Sequence, residues 1–145
     1  MPKKTGVKED MEHILNELLL HHSVSFVSSV DEDGFPNTKA MLPPRKIEGI
    51  QHFYFTTNTS SMRVKQFRAN PKASLYFCDP QQFKGMMLKG TMQVLEDISS
   101  KEMIWLEGDN LYYPLGVTDP DYCVLHFTAH SGRYYHSFNS ESFII

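Results

Sequence analysis

The stretch HFYFTTNTSSMRVKQFRANPKASLYF, His52 to Phe77, holds the residues with the clearest chemistry. Thr56, Thr57, Thr59, Ser60 and Ser61 crowd hydroxyl groups into one short segment, and Arg63 and Lys65 follow at once. The first turn of a helix leaves backbone N–H groups without partners, and the helix dipole places partial positive charge there. Hydroxyl donors and a guanidinium at such a turn suit a phosphate group. The same residues would also make an ordinary N-cap, since Ser and Thr cap helices in every fold class. The turn alone leaves both readings open.

The elements that must position this turn are legible on either side of it. Gln51 to Thr57 reads as a strand, and Ser60 to Asn70 reads as a short helix with Val64 and Phe67 inward. Pro71 prevents the helix from continuing, and Lys72 to Cys78 is the next strand. Upstream, Lys8 to His21 places Met11, Ile14, Leu15, Leu18 and Leu19 at helical spacing, a stripe that serves packing. Ser23 to Val30 alternates as a strand, Asp31-Glu32-Asp33-Gly34 turns the chain, and Pro36 to Leu42 is a second strand ended by Pro43-Pro44. Downstream, Gly85 to Glu96 is a long strand with a bend expected near Gly90. Ser99 to Glu107 reads as a helix, stopped by Gly108-Asp109-Asn110. Leu111 to Asp121 is a loop in which Asp119 and Asp121 form turns around Pro120. Two closing strands, Tyr122 to Thr128 and Arg133 to Phe138, are expected to join through His130-Ser131-Gly132. The expected fold is mostly β: a closed or nearly closed barrel of six to seven mainly antiparallel strands with about three peripheral helices, in one domain over residues 1–145.

Composition narrows the function classes. With 145 residues, 41% apolar and 21% charged, the chain can bury a real core. The formal net charge of −3 gives no broad basic footprint for nucleic acid, yet it leaves room for a local basic pocket. Cys78 and Cys123 sit far apart in apolar strands and read as free thiols. MPKKTGVKEDMEHI holds no continuous apolar segment of the secretory kind, and no apolar run approaches a membrane span, so a cytoplasmic location is expected. The seven histidines suggest no metal site: His126 and His130 straddle a strand end and do not share a face, and no HExxH occurs.

The order of these elements, with these residues, resembles the pyridoxamine 5′-phosphate oxidase-like family of FMN-binding split barrels, above all its general stress protein branch. SVSFVSSVDEDGFPNTKAM, FTTNTSSMRVKQFRANPKASLYF, MMLKGTMQVLED and DNLYYPLGVTDPDYCVLHFTAHSGRYYHS carry the resemblance, with Asn70-Pro71 after the short helix as a family-like detail. The resemblance implies a homodimer with FMN in a groove between the subunits. It implies that Lys39, Ala40, Met41 and Leu42 run under the isoalloxazine and offer backbone groups, with Lys39 toward the phosphate. Thr56 and Thr57 would lie by the ring and the ribityl chain. Ser61 and Arg63 would hold the phosphate, with Ser60 and Met62 adding backbone N–H groups. A lysine and an arginine from two separate elements would then clamp one dianion. In this branch Trp105 and Tyr113 approach the flavin from the partner chain; packing at the dimer interface is their other reading.

Departures from the family matter as well. The chain ends GRYYHSFNSESFII, without the arginine–histidine motif by which true pyridoxamine phosphate oxidases grip substrate. Gly85 stands where those oxidases carry a flavin-contacting glutamine, Pro44 replaces a lysine with Arg45 adjacent, and Met62 replaces an arginine. The expected function is therefore a flavin-dependent oxidoreductase other than pyridoxamine phosphate oxidase, with an unknown small-molecule redox partner. The alternatives are a non-enzymatic flavin-binding or flavin-buffering stress protein, and a haem or deazaflavin binder on the same fold, for which His126, His130 and His136 are the candidate haem ligands.

Overall fold

Apolar and polar residues alternate along SFVSSV, HFYFTTN and KASLYFCD, so one face of each segment must turn to a common interior, and each forms a strand. The structure, a computed structural model, describes residues 4–21 and 24–145. Its elements in chain order are α1 (Lys4–His21), β1 (Ser25–Val30), β2 (Pro36–Met41), β3 (Lys46–Glu48), β4 (His52–Asn58), α2 (Met62–Ala69), β5 (Lys72–Asp79), β6 (Lys84–Leu95), α3 (Ile98–Met103), β7 (Tyr122–His136) and β8 (Asn139–Ile144). Two 3-10 turns, Asp109–Leu111 and Gly116–Thr118, lie between α3 and β7.

All strand pairings are antiparallel, and the sheet runs β2-β1-β5-β6-β7-β4-β3 with β8 also on β7. The expected β class with peripheral helices is what forms. The sheet does not close, however: β2 and β3 are its two ends, and it has eight strands where six to seven are expected. Phe53, Phe55, Leu75, Phe77, Met86, Leu88, Leu125 and Phe127 fill the core. Met11, Leu15 and Leu18 of α1 and Val64 and Phe67 of α2 close over it, so the apolar stripe of α1 is packing surface, as its spacing suggests. A separate cluster of Ile104, Tyr122 and Val124, with Trp105 and Tyr113 against it, fastens the segment after α3 to β7 and β4.

Several sequence expectations need correction. The two closing strands are one, β7, because His130-Ser131-Gly132 is not a turn. Ser131 and Gly132 stay in register with Lys89 and Leu88 on one side and with Ile144 and Phe143 on the other. A Cβ on Gly132 would stand 2.5 Å from the Phe143 ring, so glycine serves close packing here and not a bend. The turn comes at Ser137-Phe138, both at positive φ (45° and 63°), and the remaining residues return as β8. The helix expected over Ser99 to Glu107 is Ile98–Met103. Asp97 caps it through Ser100 N–H at 3.0 Å, and beyond it Ile104 C=O accepts from Arg45 and Leu106 N–H donates to the Asp109 carboxylate. Strand β3 is too short to show a period. The expected bend at Gly90 is present as a register shift between Lys89 and Gly90, where a Cβ would meet Thr128 C=O at 1.9 Å. Ser23, expected to begin β1, lies outside the described residues.

Candidate functional site

Three elements set the geometry around the hydroxyl-rich turn. The Ser61 hydroxyl accepts the Val64 N–H at 3.3 Å and caps α2. Val64 and Phe67 bury the inner face of α2, and Ser29 Oγ donates to Gln66 Oε1, tying the helix to β1. Arg63, the second residue of α2, is thereby aimed back at β4, where its Nη2 donates to Thr57 Oγ1 at 3.0 Å. Its Nε is buried and has no hydrogen-bond partner. Among the described residues no carboxylate lies within ion-pair distance of it. Burial pushes the guanidinium below its usual value, yet an arginine keeps its charge. A half-buried cation with a spare donor and no counter-ion is an incomplete arrangement.

Arg63 opens onto a cleft of about 440 Å³. Lys39, Ala40, Met41 and Leu42 form one wall, Thr56, Thr57 and Asn58 another, and Arg45, Asp109, Tyr112, Tyr113 and Asp121 complete it. The volume falls in the range of small-molecule sites, roughly 300–1,000 Å³. Lys39 and Arg63, on different elements, thus border one space. As β2 ends the sheet, its outer edge has no strand partner among the described residues, and its main-chain groups can face a ligand. Ser60, Ser61 and Met62 are not in the lining: Ser61 is the helix cap, Met62 is exposed, and Ser60 N–H donates to Asp121 Oδ1 at 2.9 Å.

Sequence reasoning missed Arg45, Asp109, Tyr112 and Asp121 as site residues. Arg45 Nη2 donates to Asp109 Oδ1 at 2.8 Å, Arg45 Nη1 donates to Asp109 Oδ2, and Nη1 also reaches Ile104 C=O at 3.1 Å. The Arg45 hydrogen bond is the first cause that holds the Asp109 carboxyl below the usual carboxylate range. Arg45 is therefore neutralised within the fold, while Lys39 and Arg63 face no described carboxylate within ion-pair distance. No local pattern could reveal a pair so far apart in the chain.

The histidines do not converge on this cleft. His126 Nε2 lies 3.0 Å from His52 Nδ1 with its ring on Tyr54, and His136 stacks on Tyr134 beside Glu141. His130 lines a different groove with Ser131 and Gly90. No group of three potential metal ligands occurs among the described residues. A larger cleft, about 800 Å³, lies between Val7, Lys8 and the β6–β7–β8 edge, and it contains none of the residues read from the sequence as a site. No described helix is long and apolar enough to cross a membrane.

Residues 11–136 match the pyridoxamine 5′-phosphate oxidase family profile. A pyridoxine/pyridoxamine 5′-phosphate oxidase of Legionella pneumophila is 30% identical over 76 residues, 51% of this chain and 34% of its own length. The chain thus spans about a third of the length of the curated relatives that it matches. A crystal structure from Clostridium acetobutylicum, of a protein related to general stress protein 26 of B. subtilis (pyridoxinephosphate oxidase family), is similar at 42% identity. It has a TM-score of 0.85, with 94% of this chain and 96% of that one covered. A haem-binding protein of Mycobacterium smegmatis shares the fold alone, at 14% identity and a TM-score of 0.69 over 88% of this chain and 55% of that one. With its antiparallel sheet, its capped α2 and a profile match over nearly all its length, the chain belongs to the pyridoxamine 5′-phosphate oxidase-like family, in the company of the general stress proteins.

Proposed function

We propose that this protein binds FMN in the β2–β4–α2 cleft and acts as a flavin-dependent oxidoreductase. The observation that carries the reading is Arg63: a half-buried guanidinium with an unused Nε, no carboxylate partner among the described residues and an open cleft beside it. A phosphate dianion supplies what this group lacks. Lys39 adds a second cation from β2, and the free edge of Lys39–Leu42 offers main-chain donors and acceptors to a polar ring edge. The Thr57 hydroxyl, which accepts from Arg63, keeps its own proton to donate. Thr56 lies beside it in the cleft wall. Ser61 supports the site by shaping α2, and Ser60 and Met62 stand outside the cleft wall. Asp121 adds a negative charge at the rim, but its carboxylate takes the Ser60 N–H, which engages part of it.

When bound, FMN supplies hydride and electron transfer, and the protein positions it and sets its local charge. The substrate on this reading is not pyridoxamine phosphate. Arg133 is spent on Ser142 and His136 lies by Glu141, both on the β7–β8 ladder and outside the cleft lining. The non-enzymatic alternative, a flavin buffer, rests on the same site, and mixing the FMN-loaded protein with NADH or NADPH in a stopped-flow instrument separates the two. Flavin bleaching is expected for the enzyme. The binding itself is tested by titrating FMN into the purified protein and following flavin fluorescence. Saturable quenching is expected; no saturable change overturns the reading.

A further inference from the structure

Asp109 does two things at once. Its carboxylate, 5% exposed, receives both guanidinium nitrogens of Arg45 and the Leu106 N–H. Its carbonyl receives the amide N–H groups of Tyr112 and Tyr113 at 3.0 and 2.9 Å. Arg45 is itself fixed, because its N–H donates to Tyr54 C=O at 2.8 Å and it follows directly on the β2 exit that walls the cleft. One residue therefore joins the cleft wall to the two tyrosines that line the cleft from the far loop. Tyr113 packs on Trp105 and Tyr122 and is held by its neighbours. Tyr112 is 76% exposed, and no ring contact holds it among the described residues. Its position depends on its backbone, hence on Asp109.

We infer that Arg45 and Asp109 form a clasp that presents the Tyr112 ring to a flat aromatic ligand in the cleft, making Asp109 a positioning residue and Tyr112 a ligand-contacting one. The inference rests on the flavin reading of the cleft. Hydroxyl and phosphate contacts fix one end of such a ligand, while an aromatic face held over the other end adds stacking. The loop has no other ion pair among the described residues, and Gly108, in the left-handed region at φ 98°, immediately precedes the clasp. With the clasp released, this residue lets the segment swing, since glycine adopts such backbone freely.

Two readouts test this, and one needs no ligand. Trp105, the single tryptophan, packs against Tyr113 of the clasped segment, ring centroids 6.4 Å apart, so its exposure reports whether that segment stays in place. In the ligand-free protein, Asp109→Asn is expected to increase quenching of Trp105 by acrylamide, while Tyr112→Ala leaves it unchanged. Equal quenching in Asp109→Asn and the parent overturns the clasp, whatever FMN does. In FMN titrations, Tyr112→Ala is expected to weaken binding about three- to tenfold, the size of an aromatic stacking contribution. Asp109→Asn should weaken binding by a similar factor, and the double variant no further, because the clasp acts through Tyr112. Additive losses, or full affinity in Tyr112→Ala, overturn it. Should Asp109→Asn fail to fold, Arg45→Lys takes its place, since lysine loses the two-pronged geometry but keeps the charge. A parent protein that ignores FMN removes the flavin reading, and the tryptophan experiment then decides the clasp alone.

Discussion

Arg63 carries a charge that finds no counter-ion among the described residues. Removing it should therefore have opposite effects on binding and on stability. Arg63→Met is expected to weaken FMN about ten- to a hundredfold, the worth of charge-assisted hydrogen bonds. The thermal midpoint of the ligand-free protein should stay level or rise, because a poorly solvated cation is gone. Calorimetry together with fluorescence titration checks both halves, and unchanged FMN affinity would remove Arg63 from the site. His126 gives a pH prediction. Burial first, and His52 beside it second, hold its imidazole below the ordinary 6.5. The unfolded chain then binds more protons than the folded one just below that value, so stability falls as the medium is acidified through it. Melting curves from pH 7.5 to 5 should show a declining midpoint in the parent and a flatter one in His126→Gln. At this scale the sequence was legible where chemistry was local. Thr56, Thr57 and Arg63 are close in the chain and line one cleft; Lys39, which lines it too, was named only through the family resemblance. Ser61 is the cap that its position allows. Arg45 and Asp109 were illegible, because each looks like a turn residue until tertiary folding brings them together.

The elements tell a similar story with a different cause. Period-2 alternation marked β1, β4 and β5 to within a residue or two, and Pro71 marked the end of α2. The error fell at the β7–β8 hairpin, where a glycine suggested a turn that sits five residues further along. Two-residue hairpin turns favour Asn-Gly because both positions take positive φ, and here Ser137-Phe138 fill them. Such backbone costs a bulky residue about 1 kcal/mol or more. Phe138 is fully exposed, so its side chain contributes no core packing in return. Phe138→Gly is accordingly expected to stabilise the protein by about 1 kcal/mol, read as a higher midpoint in urea with the slope unchanged. A loss of stability would mean that the aromatic ring packs against something in solution.

At the scale of the molecule, β2 and β3 end the strand order, β8 lies outside it on β7, and β2 is also a wall of the cleft. Leu42, at the exit of β2, is among the exposed apolar residues. A second copy of the chain covering this region would complete the wall, in keeping with the homodimer that the family resemblance implies. Sedimentation should then give twice the 16.7 kDa chain mass. Serial dilution should release FMN and separate the subunits over the same concentration range. A monomer that holds FMN unchanged would dismiss the interface. The general architecture was legible from residue order alone; the open sheet was not, since closure depends on how far a sheet curls and no single segment encodes that. One consequence of the uninterrupted β7 remains. It has β6 along one side and β4, then β8, along the other, so its middle cannot be exposed without parting strands from both halves of the sheet. In deuterium oxide, the amides of Val124 to Phe127 should be the last to exchange, at the rate set by complete unfolding, while those of β2 and β3 exchange early.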